Sequence, residues 1–174
     1  SEFGNGAYTS LTMMVAEELD AVWDTIELEP APTSPEYYSP IFGEYLTAGS
    51  VTTGGAWLQL RTAGAQARAM FLAAAAQRWQ MDGKQLETRD SQVLWPAAGK
   101  QATYGQLLST IIDENIQPPE QVSLKDPAKF NILGKPRLRQ EGLSKVNGSA
   151  VFGIDIKLPG MLYGSVARCP VYGG

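Results

Sequence analysis

The chain has 174 residues, 44% of them hydrophobic, with 14 basic against 18 acidic side chains and a net charge of −4. That length allows one ordinary domain or two small ones at roughly 100–200 residues each, and the acidic balance excludes a general nucleic-acid or anionic-membrane binder. With no histidine and one cysteine, Cys169, the chain supplies no His-based triad or metal site, no internal disulfide and no Cys-ligated cluster.

The first three residues, Ser1-Glu2-Phe3, have the look of a cloning junction, and the natural protein is expected to begin further upstream. No signal peptide opens the chain, and no apolar run approaches the ~20 residues of a membrane helix. From Ser10 to Ala21, Leu11, Met14, Val15 and Leu19 recur at helical spacing, and Thr9 or Ser10 can cap the start. Glu17, Glu18 and Asp20 then read as this helix's solvated face. Thr25 to Glu29 alternates as a strand with one wet side, which Pro30 and Pro32 stop.

Residues 30–56 form an irregular stretch whose aromatics, Tyr37, Tyr38, Phe42 and Tyr45, need burial; it reads as a packed loop or as the wall of a ligand channel. A helix from about Ala56 to Gln80 follows, packing by its alanines and showing Arg61, Arg68 and Arg78 to water. Asp82-Gly83 turns the chain into a strand or hairpin arm over Leu86 to Trp95. Thr103 to Ile116 is a further helix, with Leu107, Leu108, Ile111 and Ile112 as its apolar face. Residues 117–136 are polar and proline-punctuated and read as a linker, and the basic run Lys125, Lys129, Lys135, Arg137 and Arg139 reads as solvated. Ala150–Ile156 and Met161–Ala167 read as two strands about a Pro159-Gly160 turn. Two strands make no independent sheet, so this end of the chain looks incomplete.

Two glycine-rich helix starts carry the chemistry. Gly4-Asn5-Gly6 precedes the first helix, and Gly49-Ser50-Val51-Thr52-Thr53-Gly54-Gly55 opens the long one. Glycine lets a ligand approach the backbone, and the first turn of a helix offers N–H groups and a partial positive charge, so each is a candidate anion seat. Neither is a Walker A loop, and neither follows a strand in a dinucleotide-binding pattern. Each alone is also accounted for as ordinary capping. No serine sits in a nucleophile elbow, and Cys169 reads as a small buried hydrophobe.

The stretch G-N-G-A-Y-T-S-L-T-M-M-V-A-E-E-L-D (4–20) resembles the G-Q-G…A-E-E-L segment of molybdopterin-binding subunits in the xanthine dehydrogenase and aldehyde oxidase family. It is most similar there to the isoquinoline-oxidoreductase type and its aldehyde-oxidising relatives. A-G-S-V-T-T-G-G-A-W (48–57) resembles the next cofactor loop. I-L-G-K-P-R-L-R…K-V-N-G-S-A-V-F-G-I-D-I-K-L-P-G-M-L-Y-G-S-V-A-R (132–168) resembles the opening of the family's a/b-hammerhead domain. The resemblance implies an α/β (α+β) chain with part of a molybdopterin-binding domain at 1–116, a linker at 117–136 and an incomplete hammerhead at 137–174. It implies that Gly4, Asn5 and Gly6, with Gly49, Ser50, Val51 and Thr52, lie beside molybdopterin, in the family often a cytosine dinucleotide. Asn5 stands where the family has Gln, and its amide reaches about one methylene less far.

The family's general-base glutamate lies in a Gly-x-x-Glu segment near the far end of the full subunit, and no glutamate here matches it. Catalytic and metal-ligating residues are therefore expected outside this chain. The resemblance further implies the remainder of a molybdenum subunit and a 2Fe-2S subunit as partners, an aldehyde or N-heterocycle as substrate, and no activity for the piece alone. Related subunits are often exported to the periplasm. A second class of function stands beside this one: a non-enzymatic α/β module whose open strands bind another chain or associate with themselves.

Overall fold

A computed structural model describes residues 2–39 and 41–173. It divides into two compact units, residues 1–141 and 142–174. Among the described residues four helices, α1 (Ala7–Leu19), α2 (Val51–Trp79), α3 (Tyr104–Asp113) and α4 (Gly142–Asn147), accompany three short strands, β1 (Glu87–Arg89), β2 (Gln92–Trp95) and β3 (Lys100–Thr103). The class is mixed helix and sheet, as expected.

In the first unit α1 packs against the 29-residue α2. Gly64 is what allows the approach: a Cβ there would lie 2.7 Å from the Val15 carbonyl oxygen and 3.0 Å from the Glu18 Cβ. A methyl group at that position has no room, so the small-residue face of α2 is a steric requirement of the crossing. α2 begins at Val51, five residues before the expected start, and so takes in Gly54 and Gly55.

The strands form an antiparallel meander in the order β1-β2-β3, with Thr88 opposite Val93 and Val93 opposite Ala102. Asp90 and Ser91 join β1 to β2 with φ of 51° and 58°, the paired left-handed conformation that matches strand twist in a two-residue hairpin. Ser91 ties the hairpin to α1: its N–H donates to the Asp20 carbonyl at 2.8 Å, and its hydroxyl accepts from the Val22 N–H at 3.0 Å. α3 starts on a full capping box between Thr103 and Gln106. Its Leu107, with Val93, is fully buried in a core shared with Ala74, Ala75, Leu86, Ala102 and Tyr104. Each of the two contributes about 1.5–3 kcal/mol by leaving water. Tyr104 stacks on Phe71 at 4.1 Å and donates to the Leu19 carbonyl at 2.6 Å; burial raises its hydroxyl pKa above the usual value.

Several expectations are corrected. Thr25–Glu29 forms no strand; a short 3-10 turn covers Trp23–Thr25 and irregular backbone follows. β3 was not expected. The runs Ala150–Ile156 and Met161–Ala167 hold no strand either, only a 3-10 turn at Gly153–Asp155, and their apolar side chains are exposed. Cys169 is exposed rather than buried.

The largest correction concerns charge. Glu17 and Glu18 are fully buried, not solvated. Glu18 accepts from the Arg61 Nε at 2.8 Å and from the Lys125 N–H at 3.0 Å, and Arg61 also donates to the Lys125 carbonyl at 2.7 Å. Arg61, expected on the wet side of α2, is sandwiched with its guanidinium 4.9 Å from the Trp57 ring and 5.1 Å from that of Phe130. Glu17 Oε2 accepts three consecutive backbone N–H groups, Asn131 at 3.0 Å, Ile132 at 2.6 Å and Leu133 at 2.9 Å. Lys125 Nζ bridges Glu17 and Asp20. Burial alone would raise the Glu17 carboxyl, but the Ile132 and Leu133 N–H groups and the Lys125 charge outweigh it and hold the pKa below its ordinary value.

The segment read as a linker is therefore fastened to α1 and α2. Gln66 and Arg68 of α2 pin it further, donating to the carbonyls of Pro119 and Ser123. It runs as a strap from the C-terminal end of α1 back toward its start, where the Gln140 N–H donates to the Thr9 hydroxyl at 3.0 Å.

Candidate functional site

The two glycine-rich starts lie together. Asn5 Nδ2 donates to the Thr47 hydroxyl at 3.3 Å, and the Thr52 hydroxyl donates to the same oxygen at 2.8 Å. Thr47 thus links the α2 start to Asn5, 42 positions before it in the chain. Accepting twice fills both of its lone pairs and leaves its own O–H as a donor. Gly4, Asn5, Gly49 and Ser50 are exposed, while Val51 and Thr52 are half-buried.

The starts differ in what satisfies them. At α1, Glu2 already supplies an anion: its Oε1 accepts from the Gly4 N–H at 2.6 Å and the Gly6 N–H at 3.0 Å, and its Oε2 from the Tyr8 N–H at 3.0 Å. The Asn5 Oδ1 takes the Ala7 N–H at 3.4 Å. These are the N–H groups that the sequence offers to a phosphate, and here they are spent within the chain. Gly6 has φ 79°, a left-handed conformation that glycine adopts without strain, and its carbonyl accepts from both the N–H and the hydroxyl of Ser10.

At α2, Ser50 occupies the cap position with φ 61° and no side chain caps the helix. The first N–H to bond back four residues is that of Gly54, to the Ser50 carbonyl. The positive end of the α2 dipole therefore opens beside the Asn5–Thr47–Thr52 cluster with no carboxylate supplied to it. Hydroxyls, an amide and an open helix start suit a phosphorylated, oxygen-rich ligand, so the α2 half fits such a group better than the α1 half. Nearby, burial, then Tyr45, Glu2 and Glu141, push the Tyr8 hydroxyl pKa above its usual value.

Three contributors escape sequence reading. Thr47 precedes the glycine-rich loop, in a stretch with no pattern of its own. Glu2 sits in the tripeptide set aside as foreign; Ser1 of that tripeptide lies outside the described residues. Arg139 comes from far along the chain, donating to the Gly4 carbonyl at 2.8 Å. Among the described residues, no group of three or more His, Cys, Asp or Glu is placed to hold a metal ion, and no helix is long and apolar enough to cross a membrane.

Residues 1–156 match the molybdopterin cofactor-binding domain family, a match that takes in Glu2 and Phe3 and runs through the strap. The chain is 36% identical to the beta chain of isoquinoline 1-oxidoreductase from Brevundimonas diminuta, over 99% of this chain and 26% of that protein. It is 28% identical to the membrane-bound aldehyde dehydrogenase [pyrroloquinoline-quinone] of Gluconacetobacter polyoxogenes, over 94% of this chain and 21% of that one. A nicotinate dehydrogenase subunit from Pseudomonas putida is likewise 28% identical, over 99% and 14%. The chain thus spans about a quarter or less of the length of these curated relatives.

Proposed function

The chain belongs to the molybdopterin cofactor-binding domain family, and from that membership we propose that it forms part of the cofactor-holding portion of a molybdenum-dependent oxidoreductase that oxidises aldehydes or N-heterocycles. The observation that carries the proposal is the Thr47 junction, which gathers both glycine-rich loops at the uncapped start of α2. The names of two relatives refer to N-heterocycles and that of the third to an aldehyde. One name cites pyrroloquinoline quinone. The reading follows the family instead, because the cluster offers short hydroxyls and an open helix N-terminus.

In this reading Gly49, Ser50 and Thr52 hold the cofactor's phosphate through backbone N–H groups and hydroxyls, Val51, whose own N–H goes to the Ala48 carbonyl, lies beside it, and the cofactor's form is the cytosine dinucleotide. Asn5 faces the same group from the other loop, its amide oriented by Thr47. Gly4 and Gly6 act beside the cofactor by shaping the turn, since their N–H groups are committed to Glu2. The bound cofactor would supply two-electron oxidation with oxygen drawn from water. This chain's residues bind and orient; the proton-transferring base belongs to the rest of the subunit, and electrons leave through a 2Fe-2S partner. Alone, the piece is inactive.

The test is native mass spectrometry of the purified chain, with molybdenum and pterin quantified on the same sample. Metal and pterin carried by the chain or its assembly, and lost on Thr52→Val with Thr47→Val, are the expected result. Protein that carries neither after expression in a host that makes the cofactor, even when joined to the remainder of its subunit, overturns the reading. A module acting only through other chains, the second reading, is favoured by the exposed apolar runs of residues 142–173. It predicts a metal-free complex.

A further inference from the structure

Resting on the reading above, we infer that Arg139 is a positioning residue for the cofactor-facing turn, acting on Asn5 through the backbone on either side of it. A Gly-x-Gly turn is intrinsically loose, because glycine leaves the backbone many alternatives. Here it is gripped from two sides by side chains of opposite charge. Glu2 accepts the N–H groups of Gly4 and Gly6, while Arg139 donates to the Gly4 carbonyl at 2.8 Å. The Arg139 guanidinium also lies against Gly6: its Nε and Nη2 sit 3.6 Å from where a Cβ on that residue would be. The same group therefore binds one glycine and covers the other, with Asn5 held between them.

The strap delivers Arg139. Its backbone is fixed by the next residue, whose N–H donates to Thr9, and the Thr9 hydroxyl in turn donates to Glu141 at 3.4 Å. Glu141 lies 3.8 Å from the Arg139 guanidinium and steadies its charge. The planar fork matters as much as the charge: lysine can reach the carbonyl but cannot also cover Gly6. Arg139 touches no group that would bind the cofactor directly; it sets where the Asn5 amide points.

Amide hydrogen exchange on the 174-residue chain and its Arg139→Ala and Arg139→Lys variants tests this. The Leu107 and Ile111 amides of α3 serve as internal controls. The expected result is exchange at Gly4 and Gly6, whose N–H groups Glu2 holds, at least fivefold faster in Arg139→Ala and intermediate in Arg139→Lys. The α3 amides and the thermal midpoint stay unchanged, and the Asn5 side-chain NH2 signals shift. Turn amides that do not respond, or that speed up only in step with α3, overturn the assignment. Pterin content of the same preparations separates the two proposals. A chain that holds no pterin, alone or joined to the remainder of its subunit, while its turn responds sinks the cofactor reading and leaves the Arg139 grip standing. Pterin retention that falls from native to Lys to Ala supports both.

Discussion

Residues 117–141 and 142–173 present opposite surfaces to a sequence reader and meet opposite fates. The first is polar and broken by prolines, and it is bound at nearly every stage to α1 and α2. The second carries alternating apolar runs, yet Val151, Phe152, Ile154, Leu162, Tyr163 and Val166 are all exposed. The difference lies in where partners come from. Two buried carboxylates on α1 need donors, and the backbone N–H groups of an irregular segment are donors of any sequence; Glu17 alone takes three. Alternating apolar residues need a neighbouring strand and a face to cover, and nothing among residues 142–173 supplies either.

The contrast can be broken hardest at Glu18. Glu18→Ala leaves Arg61 buried without its carboxylate, and a loss of about 3–5 kcal/mol in urea-monitored stability is expected. A loss below about 1 kcal/mol would mean that the strap is not latched there. Glu17→Gln comes next, replacing a carboxylate that gathers three N–H donors with an amide. About 1–3 kcal/mol is expected, with faster proteolysis within 117–141 than within α3.

Acid sharpens the same point. Since the folded pKa of Glu17 lies below its ordinary 4.5, the carboxylate stabilises the fold above that value, and the contribution is lost as pH falls toward the folded value. Thermal midpoints should therefore decline below about pH 4.5, and less steeply in Glu17→Gln. The smallest effect belongs to the tail. Ending the chain after Glu141 should change the stability of the first unit by less than about 0.5 kcal/mol. A larger loss would show that the first unit draws stability from the tail.

Periodicity makes α1, α2 and α3 legible, and alternation at Val93 and Trp95 points to the hairpin. β3 has only Lys-Gln-Ala-Thr to announce it, and its place is set by pairing with β2 rather than by its own preference. The burial of Glu17 and Glu18 is hidden because one helix taken alone cannot show a segment more than a hundred positions away folding over it. One signal is present: an Ala-rich helix with arginines at 61 and 68 has a charge that must be met, and Glu-Glu-x-Asp on its neighbour meets it. At the site, the glycine-rich loops are visible as loops. Their junction is not, since a lone threonine in an irregular stretch carries no pattern.

The close approach at Gly64 makes the helix crossing a pivot. Val51 lies about 20 Å along α2 from that point and Ala7 about 12 Å along α1 from Val15, at 1.5 Å of rise per residue. Each glycine-rich start thus rides the end of a rigid arm, and a change of about 5° at the crossing swings the α2 end by about 1.7 Å. That displacement is enough to part Asn5 from Thr47, whose hydrogen-bonding atoms stand 3.3 Å apart. A single missing side chain in the interior therefore sets the gauge between two loops at the surface.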